Sequence, residues 1–181
     1  MGVVMNKKLP NLSEPKLAFE GFFNVIKRTL TTEEKKLSYD FVEIKADAIS
    51  VITLTKENKF LVNREWRPAT ETTLLATTGG LIHPGETALE AGKRELLEET
   101  GYTSDNISTL STIYPFPGIT GQKITYLLAK DATKIQEPTL EEGEWIKTEL
   151  LFKEELLSEI TTSNKIDGVF LAGLLYLLIK N

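Results

Sequence analysis

The chain of 181 residues contains no cysteine and a single histidine, His83. Without cysteine there is no disulfide and no thiolate metal site, a composition that fits a reducing cytosol and sets the expectation of a cytoplasmic protein. Positive charge is not in excess. Lys and Arg number 21 against 26 Asp and Glu, a net charge of −5. Nucleic-acid binders are usually basic, so no nucleic-acid partner is expected. An acidic chain that handles polyanions needs local arginines or metal ions to offset its own field. Long apolar runs are also missing. The longest, Val169 to Ile179, is interrupted by Gly173 and falls short of the roughly 20 residues that span a bilayer. It reads as a buried terminal helix. The opening MGVVMNKKLPNLSEP has neither the apolar core nor the cleavage site of a signal peptide, so no membrane partner is expected.

What is present suits one globular domain with a short appendage. The apolar share of 41% supplies a sizeable core, and 26% charged residues is ordinary for a soluble chain. Residues 1–15 are polar and proline-punctuated and read as a loose arm. Phe19 to Thr31 is aromatic and β-branched and reads as a strand, followed by a charged turn at Thr32 to Lys36. Ala48 to Thr55 and Phe60 to Trp66 form a predicted hairpin, with Phe41 to Lys45 alternating before it. Ile107 to Tyr114, Lys123 to Ala129 and Glu144 to Lys147 read as further strands. Glu149 to Ile160 has an amphipathic pattern, and Asp167 can cap a last helix. Strands with interspersed helices point to an α/β or α+β sandwich.

The clearest helix is Thr87 to Thr100. Thr87 and Glu90 make a capping-box pattern, and Gly101 fits the C-terminal cap. Within it, Arg94-Glu95-Leu96-Leu97-Glu98-Glu99 places three acids in five residues. At about 100° per residue, Glu98 and Glu99 lie about 60° and about 40° either side of Glu95. All three carboxylates share one face, while Leu89, Leu96 and Leu97 fall on the side that meets a core. Like charges at these spacings cost about 0.2–0.5 kcal/mol per pair, and Lys93 and Arg94 relieve only part of that. A solvated acidic face is the ordinary reading of such a helix. A bound cation is the other.

The wider spacing favours the cation. Gly80, five residues, Glu86, seven residues, Arg94-Glu95-Leu96-Leu97-Glu98-Glu99, one residue, Gly101 resembles the Nudix box, the signature of hydrolases that cleave a nucleoside diphosphate linked to another group. Only Tyr102 departs, standing where an aliphatic residue is usual. The resemblance implies an α/β Nudix-type sandwich with a mixed β-sheet and extra N-terminal strands. It implies Mg²⁺ (or Mn²⁺) held by Glu95, Glu98 and Glu99, with the carbonyl of Gly79 completing the set. Carboxylate oxygens are the ligands such hard cations take. Arg94 is implied to hold a glutamate in place, with Glu86 or Glu98 as partner. His83 has no role in this scheme.

Three further segments resemble the ADP-ribose and nucleoside diphosphate-sugar pyrophosphatase branch. Arg64-Glu65-Trp66-Arg67 matches an arginine-aromatic-arginine element that contacts substrate; guanidinium forks suit phosphate, and an indole can stack on a base. PFPGITGQ matches a proline-glycine substrate loop, with Phe116 and Gly118 in it and Gln122 where that branch has a glutamate. Glu142-Gly143-Glu144 matches a Glu-x-Glu element, which implies Glu142 as the base and Glu144 as a metal ligand, with Glu141 as the rival base. One departure is Ala76-Thr77-Thr78-Gly79-Gly80, where the branch reads Glu-x-Pro-Ala-Gly. The expected reaction is therefore broad: hydrolysis of nucleoside diphosphate-sugars of the ADP-ribose or GDP-mannose type to NMP and sugar phosphate. By the same resemblance, residues 1–45 form N-terminal strands exchanged between the subunits of a homodimer, and 46–181 form the hydrolase domain. Trp66, Arg67 or Phe116 would then serve the partner's pocket. The alternatives are a Nudix hydrolase of nucleoside triphosphates or dinucleoside polyphosphates, and a non-catalytic ligand sensor.

Overall fold

The computed structural model describes residues 9–180. It divides into two compact units, one of residues 1–45 with 116–122 and one of 46–115 with 123–181. The first carries four antiparallel strands: β1 (Asn11–Leu12), β2 (Lys16–Phe19), β3 (Asn24–Thr31) and β4 (Lys36–Glu43). β4 pairs with β3 along its whole length, and β1 and β2 share the opposite edge. The hairpin turns where Thr32 Oγ1 accepts the N–H groups of Glu34 and Lys35, in the charged segment read as a turn. Two expectations change. The strand predicted over Phe19 to Thr31 is two strands, broken by a bend at residues 21–23. The expected loose arm is paired at Asn11–Leu12, and its first eight residues lie outside those described.

The second unit follows the alternation of its sequence. It contains β5 (Ala48–Thr55), β6 (Phe60–Arg67), β7 (Thr72–Ala76), β8 (Thr78–Leu81), α1 (Ala88–Thr100), β9 (Tyr102–Thr103), β10 (Asn106–Ile113), β11 (Ile124–Lys134), β12 (Ile146–Leu151), α2 (Lys153–Thr162) and α3 (Gly168–Lys180). The sheet runs β10-β11-β5-β6-β12. β5 and β11 are parallel and their other neighbours antiparallel, so the sheet is mixed. Ile49, Val51, Leu61 and Leu127 pack under Ala91 and Leu96 of α1 on one face. Ile52, Phe60, Val62 and Tyr126 pack under Leu156 of α2 and Phe170, Leu174 and Leu177 of α3 on the other. This is an α/β sandwich of Nudix type. Among the described residues no helix is long and apolar enough to cross a membrane.

One irregularity positions the site. β5 and β6 share only the pairs Thr53–Leu61 and Leu54–Phe60. Beyond them the strands diverge, β6 taking β7 as neighbour and β5 taking β8. Thr77, between β7 and β8, donates its hydroxyl to the Val51 carbonyl at 2.5 Å. Neither β7 nor β8 was legible in a threonine- and glycine-rich stretch with no clear period. The helix expected from Glu149 begins at Lys153 instead. Glu149 and Leu150 are taken up by the ladder opposite Val62 and Leu61, so pairing overrides their helical spacing.

α1 lies close to the sheet. A Cβ on Gly92 would stand 2.3 Å from Leu127 Cδ1. The leucine anchor expected for this helix is corrected: Leu96 is buried, but Leu97 is half-buried and Leu89 exposed. Ala91 and Gly92 do the rest, because small residues permit a close approach. Both predicted caps form. Thr87 and Glu90 make the reciprocal capping box, and Gly101 adopts φ +75°, donating to the Leu97 carbonyl.

At Gly101 a Cβ would meet the Gln136 carbonyl oxygen at 2.0 Å, whereas at Gly85, with φ +84°, it would meet nothing within 4 Å. Gly85→Ala should therefore lose only the left-handed-backbone cost of about 1–2 kcal/mol. Gly101→Ala should lose clearly more, read as the larger fall in Tm. Equal losses would show that the Gln136 contact relaxes freely.

Candidate active site

The period of two in β6 sorts its side chains between the faces of the sheet. Leu61, Asn63, Glu65 and Arg67 point toward α1. Phe60, Val62, Arg64 and Trp66 point toward the α2/α3 layer. Where β5 and β6 part, Glu99 of α1 enters between them. It is 5% exposed. Its Oε2 accepts Asn63 Nδ2–H at 2.7 Å, and its Oε1 faces the Gly79 N–H at 3.4 Å. Among the described residues Glu99 forms no ion pair. Burial pushes its carboxyl well above the usual range, and the neighbouring charges of Glu65, Glu95 and Glu144 add to that.

The outer acids are treated differently. Arg94 donates Nε and Nη2 to Glu86 at 2.9 and 3.1 Å, Nη1 to Glu95 at 2.8 Å and to Glu98 at 3.0 Å, and Nη2 to the Leu81 carbonyl at 3.0 Å. One guanidinium serves three carboxylates and ties the loop to the helix. It pulls the Glu86 carboxyl down to about 2. Glu95 is raised by burial, with Arg94 opposing the shift. Its carboxylate rests on Gly80, where a Cβ would come within 1.9 Å of Oε1. The glycine of the loop is thus the floor on which this acid sits.

Glu144 closes the group from the far side. Its carboxylate accepts the Glu141 N–H at 2.8 Å, and its charge reaches Glu65, Glu95 and Glu99. Glu141 and Glu142 stand exposed on the same turn, three and two residues before it. The structure therefore gathers Glu95, Glu98, Glu99 and Glu144 with Arg94 and Gly79. It adds two residues that the sequence reading passed over, Asn63 and Glu65. Glu65 is buried, which raises its carboxyl, and it pairs with Arg67 at 2.7 Å. A strand that keeps polar residues at two successive core-facing positions was the available signal.

The expected substrate residues separate. Arg67 lies on the α1 face with Glu65. Arg64 lies on the opposite face and is held by Glu149 at 2.9 Å and by both oxygens of Glu159. Trp66, on that face too, meets Trp145 edge to face at 5.3 Å, and both indoles are exposed. Phe116, Gly118 and Gln122 belong to the first unit, in a loop where the Phe116 carbonyl accepts the N–H groups of Ile119 and Thr120. His83 is exposed.

Among the described residues, no three acids or histidines are gathered closely enough to hold a metal ion as the side chains stand. Glu95 and Glu98 are both hydrogen-bonded to Arg94 instead. The donor set nonetheless fits a hard cation. It consists of carboxylate oxygens, and its innermost member, Glu99, is buried with no positive partner among the described residues.

Comparison with known proteins agrees with this arrangement. The NUDIX domain family matches residues 44–171. ADP-ribose pyrophosphatase of Bacillus subtilis (strain 168) is 26% identical over 134 residues, covering 74% of this chain and 72% of that protein. The methanol dehydrogenase activator of Bacillus methanolicus is 28% identical over 131 residues, covering 72% and 71%. The crystal structure of an ADP compounds hydrolase shares the fold, with a TM-score of 0.83 at 20% identity over 95% of this chain and 94% of that one.

The charge on Glu99 yields a test. The folded chain binds this proton more tightly than the unfolded chain. Stability therefore falls as pH rises from the ordinary carboxylate range toward the raised value. In chelator, Glu99→Gln should melt above the wild type at pH 8, and the gain should shrink toward pH 5. A gain independent of pH would show that the buried charge is not what destabilises.

Proposed function

The chain belongs to the Nudix hydrolase family and acts on phosphoanhydride bonds, and from that premise we propose that it hydrolyses nucleoside diphosphate-sugars to NMP and sugar phosphate. ADP-ribose and GDP-mannose type compounds are the substrates to try first. The observation that carries this reading is Glu99, buried without a positive partner among the described residues and under the charges of Glu65, Glu95 and Glu144. Such a cluster leaves a net negative site that divalent cations accompanying the diphosphate would offset. Relatives named for ADP-ribose and ADP compounds support the substrate class.

In this proposal Glu95, Glu98, Glu99 and Glu144, with the Gly79 carbonyl, hold Mg²⁺ or Mn²⁺. When bound, the cation neutralises the diphosphate and makes water more acidic. The chain's own groups do the rest. Glu142 takes the proton from the attacking water, with Glu141 as its rival. Arg94 orients Glu95 and Glu98. Arg67 is the arginine assigned to phosphate, because Arg64 is already matched by two carboxylates. Trp66 is assigned to the nucleoside; for Phe116, Gly118 and Gln122, in the other unit, a substrate role stays as the resemblance implies it.

The purified protein, with Mg²⁺ or Mn²⁺, is to be incubated with a panel of diphosphate-sugars, nucleoside triphosphates and dinucleoside polyphosphates. Release of NMP from the sugars, absent in Glu99→Gln, is the expected result. Faster hydrolysis of another class would replace the substrate. Glu142→Gln should lower kcat by about 10²–10⁴; a near-normal rate would move the base to Glu141 or elsewhere.

We also propose that the N-terminal strands pair two copies of the chain. Leu17, Phe19, Phe22 and Phe23 expose large apolar surface in the first unit, Phe22 to 88%, and such patches mark interaction sites. Light scattering should give twice the chain mass of 20.3 kDa, falling to the single mass in Phe19→Asp/Phe22→Asp. A wild-type monomer would overturn the dimer.

A further inference from the structure

We infer that Asn63 is a positioning residue for the reaction: its amide aims the Glu99 carboxylate and thereby sets the affinity of the acidic site for a divalent cation. The inference rests on the reading of Glu99 as a ligand.

Asn63 is 1% exposed, in the middle of β6. Its neighbours across the ladders are Ala76 on one side and Thr148 on the other. An apolar residue of the same size would fill this place in the core, as Leu61 does one step along the same face. A buried amide is costly unless its hydrogen bonds are made. Here they are made outward, to the site. Nδ2 donates to Glu99 Oε2 at 2.7 Å, and Oδ1 receives the Thr148 hydroxyl at 3.5 Å. These partners fix which way the amide faces. In the ionised form that would hold a cation, Glu99 only accepts, so the NH₂ group must meet it, and a hydroxyl can donate to the oxygen that remains. Ala76 has no polar side-chain atom to compete.

The choice of a neutral donor matters. An arginine or lysine at this position would orient Glu99 as well, but would also cancel its charge. An amide fixes one oxygen and leaves the negative charge in place. The contrast lies in the same cluster: Arg94 pairs with Glu86, Glu95 and Glu98, and among the described residues no cation pairs with Glu99. Groups that orient a ligand in this manner typically change metal affinity by about 10–100-fold when removed.

The experiment is Mn²⁺ binding followed by electron paramagnetic resonance, on wild type, Asn63→Leu, Asn63→Ser and Glu99→Gln, with melting curves in chelator. Asn63→Leu should melt close to wild type, yet bind Mn²⁺ about tenfold more weakly. Its kcat should fall while the substrate KM, taken at saturating metal, stays within about twofold. Asn63→Ser answers the same question if the leucine variant does not fold. If Glu99→Gln loses Mn²⁺ but a folded Asn63 variant binds it within twofold of wild type, the role of Asn63 is overturned. If Glu99→Gln itself binds like wild type, the reading of Glu99 as a ligand falls first, and the inference with it.

Discussion

A carboxylate placed between two parting strands is the constraint on which the rest depends. Glu99 reaches into the fork where β5 and β6 separate, and touches one arm through Asn63 and the other through Gly79. For that to happen α1 must lie close to the sheet and in one rotation. Gly92 permits the approach, since even a methyl there would strike Leu127. The capping box at Thr87 and the left-handed cap at Gly101 fix where the helix begins and ends. Each of these features looks like ordinary helix chemistry alone. Together they deliver one oxygen pair to one place.

The cluster divides its charge between two regimes. At the rim, a single guanidinium holds three acids and a backbone carbonyl, which settles those side chains and lowers the proton affinity of Glu86. Inside, burial and like charges raise Glu99, opposed only in part by the Gly79 N–H. The rim has one cation among its three acids, and among the described residues none pairs with Glu99. That imbalance is electrostatic, and it gives the site its appetite for positive charge.

Much of this was legible in sequence because it is local. Thr87, Glu90 and Gly101 announce α1, Asp167 announces α3 through the N–H groups of Val169 and Phe170, and the spacing of Glu95, Glu98 and Glu99 gives a common face. What was illegible depends on partners far along the chain. Asn63 and Glu65 acquire meaning only when β6 is laid under α1. Arg64 and Arg67 look alike in sequence, but an odd separation along a strand sends them to opposite faces. β7 and β8 have too weak a period to be read, and are strands because the fork offers them open edges. Leu89 fits the apolar side of the wheel and yet is exposed, because a wheel cannot tell how far along its length a helix is covered.

β6 serves both layers at once. Its residues toward α1 carry the polar chemistry, and Arg64, facing the other way, clamps β12 and α2 through Glu149 and Glu159. A shift of one residue in this strand would exchange the two sets, turning Arg64 into the acid cluster and Glu65 into the helical layer. Changes of length are consequently better placed in its flanks, the turns at 56–59 and 68–71. The strand thus behaves as a two-sided key: an insertion within it would misplace both faces at once, whereas one in a flanking turn would leave both in place.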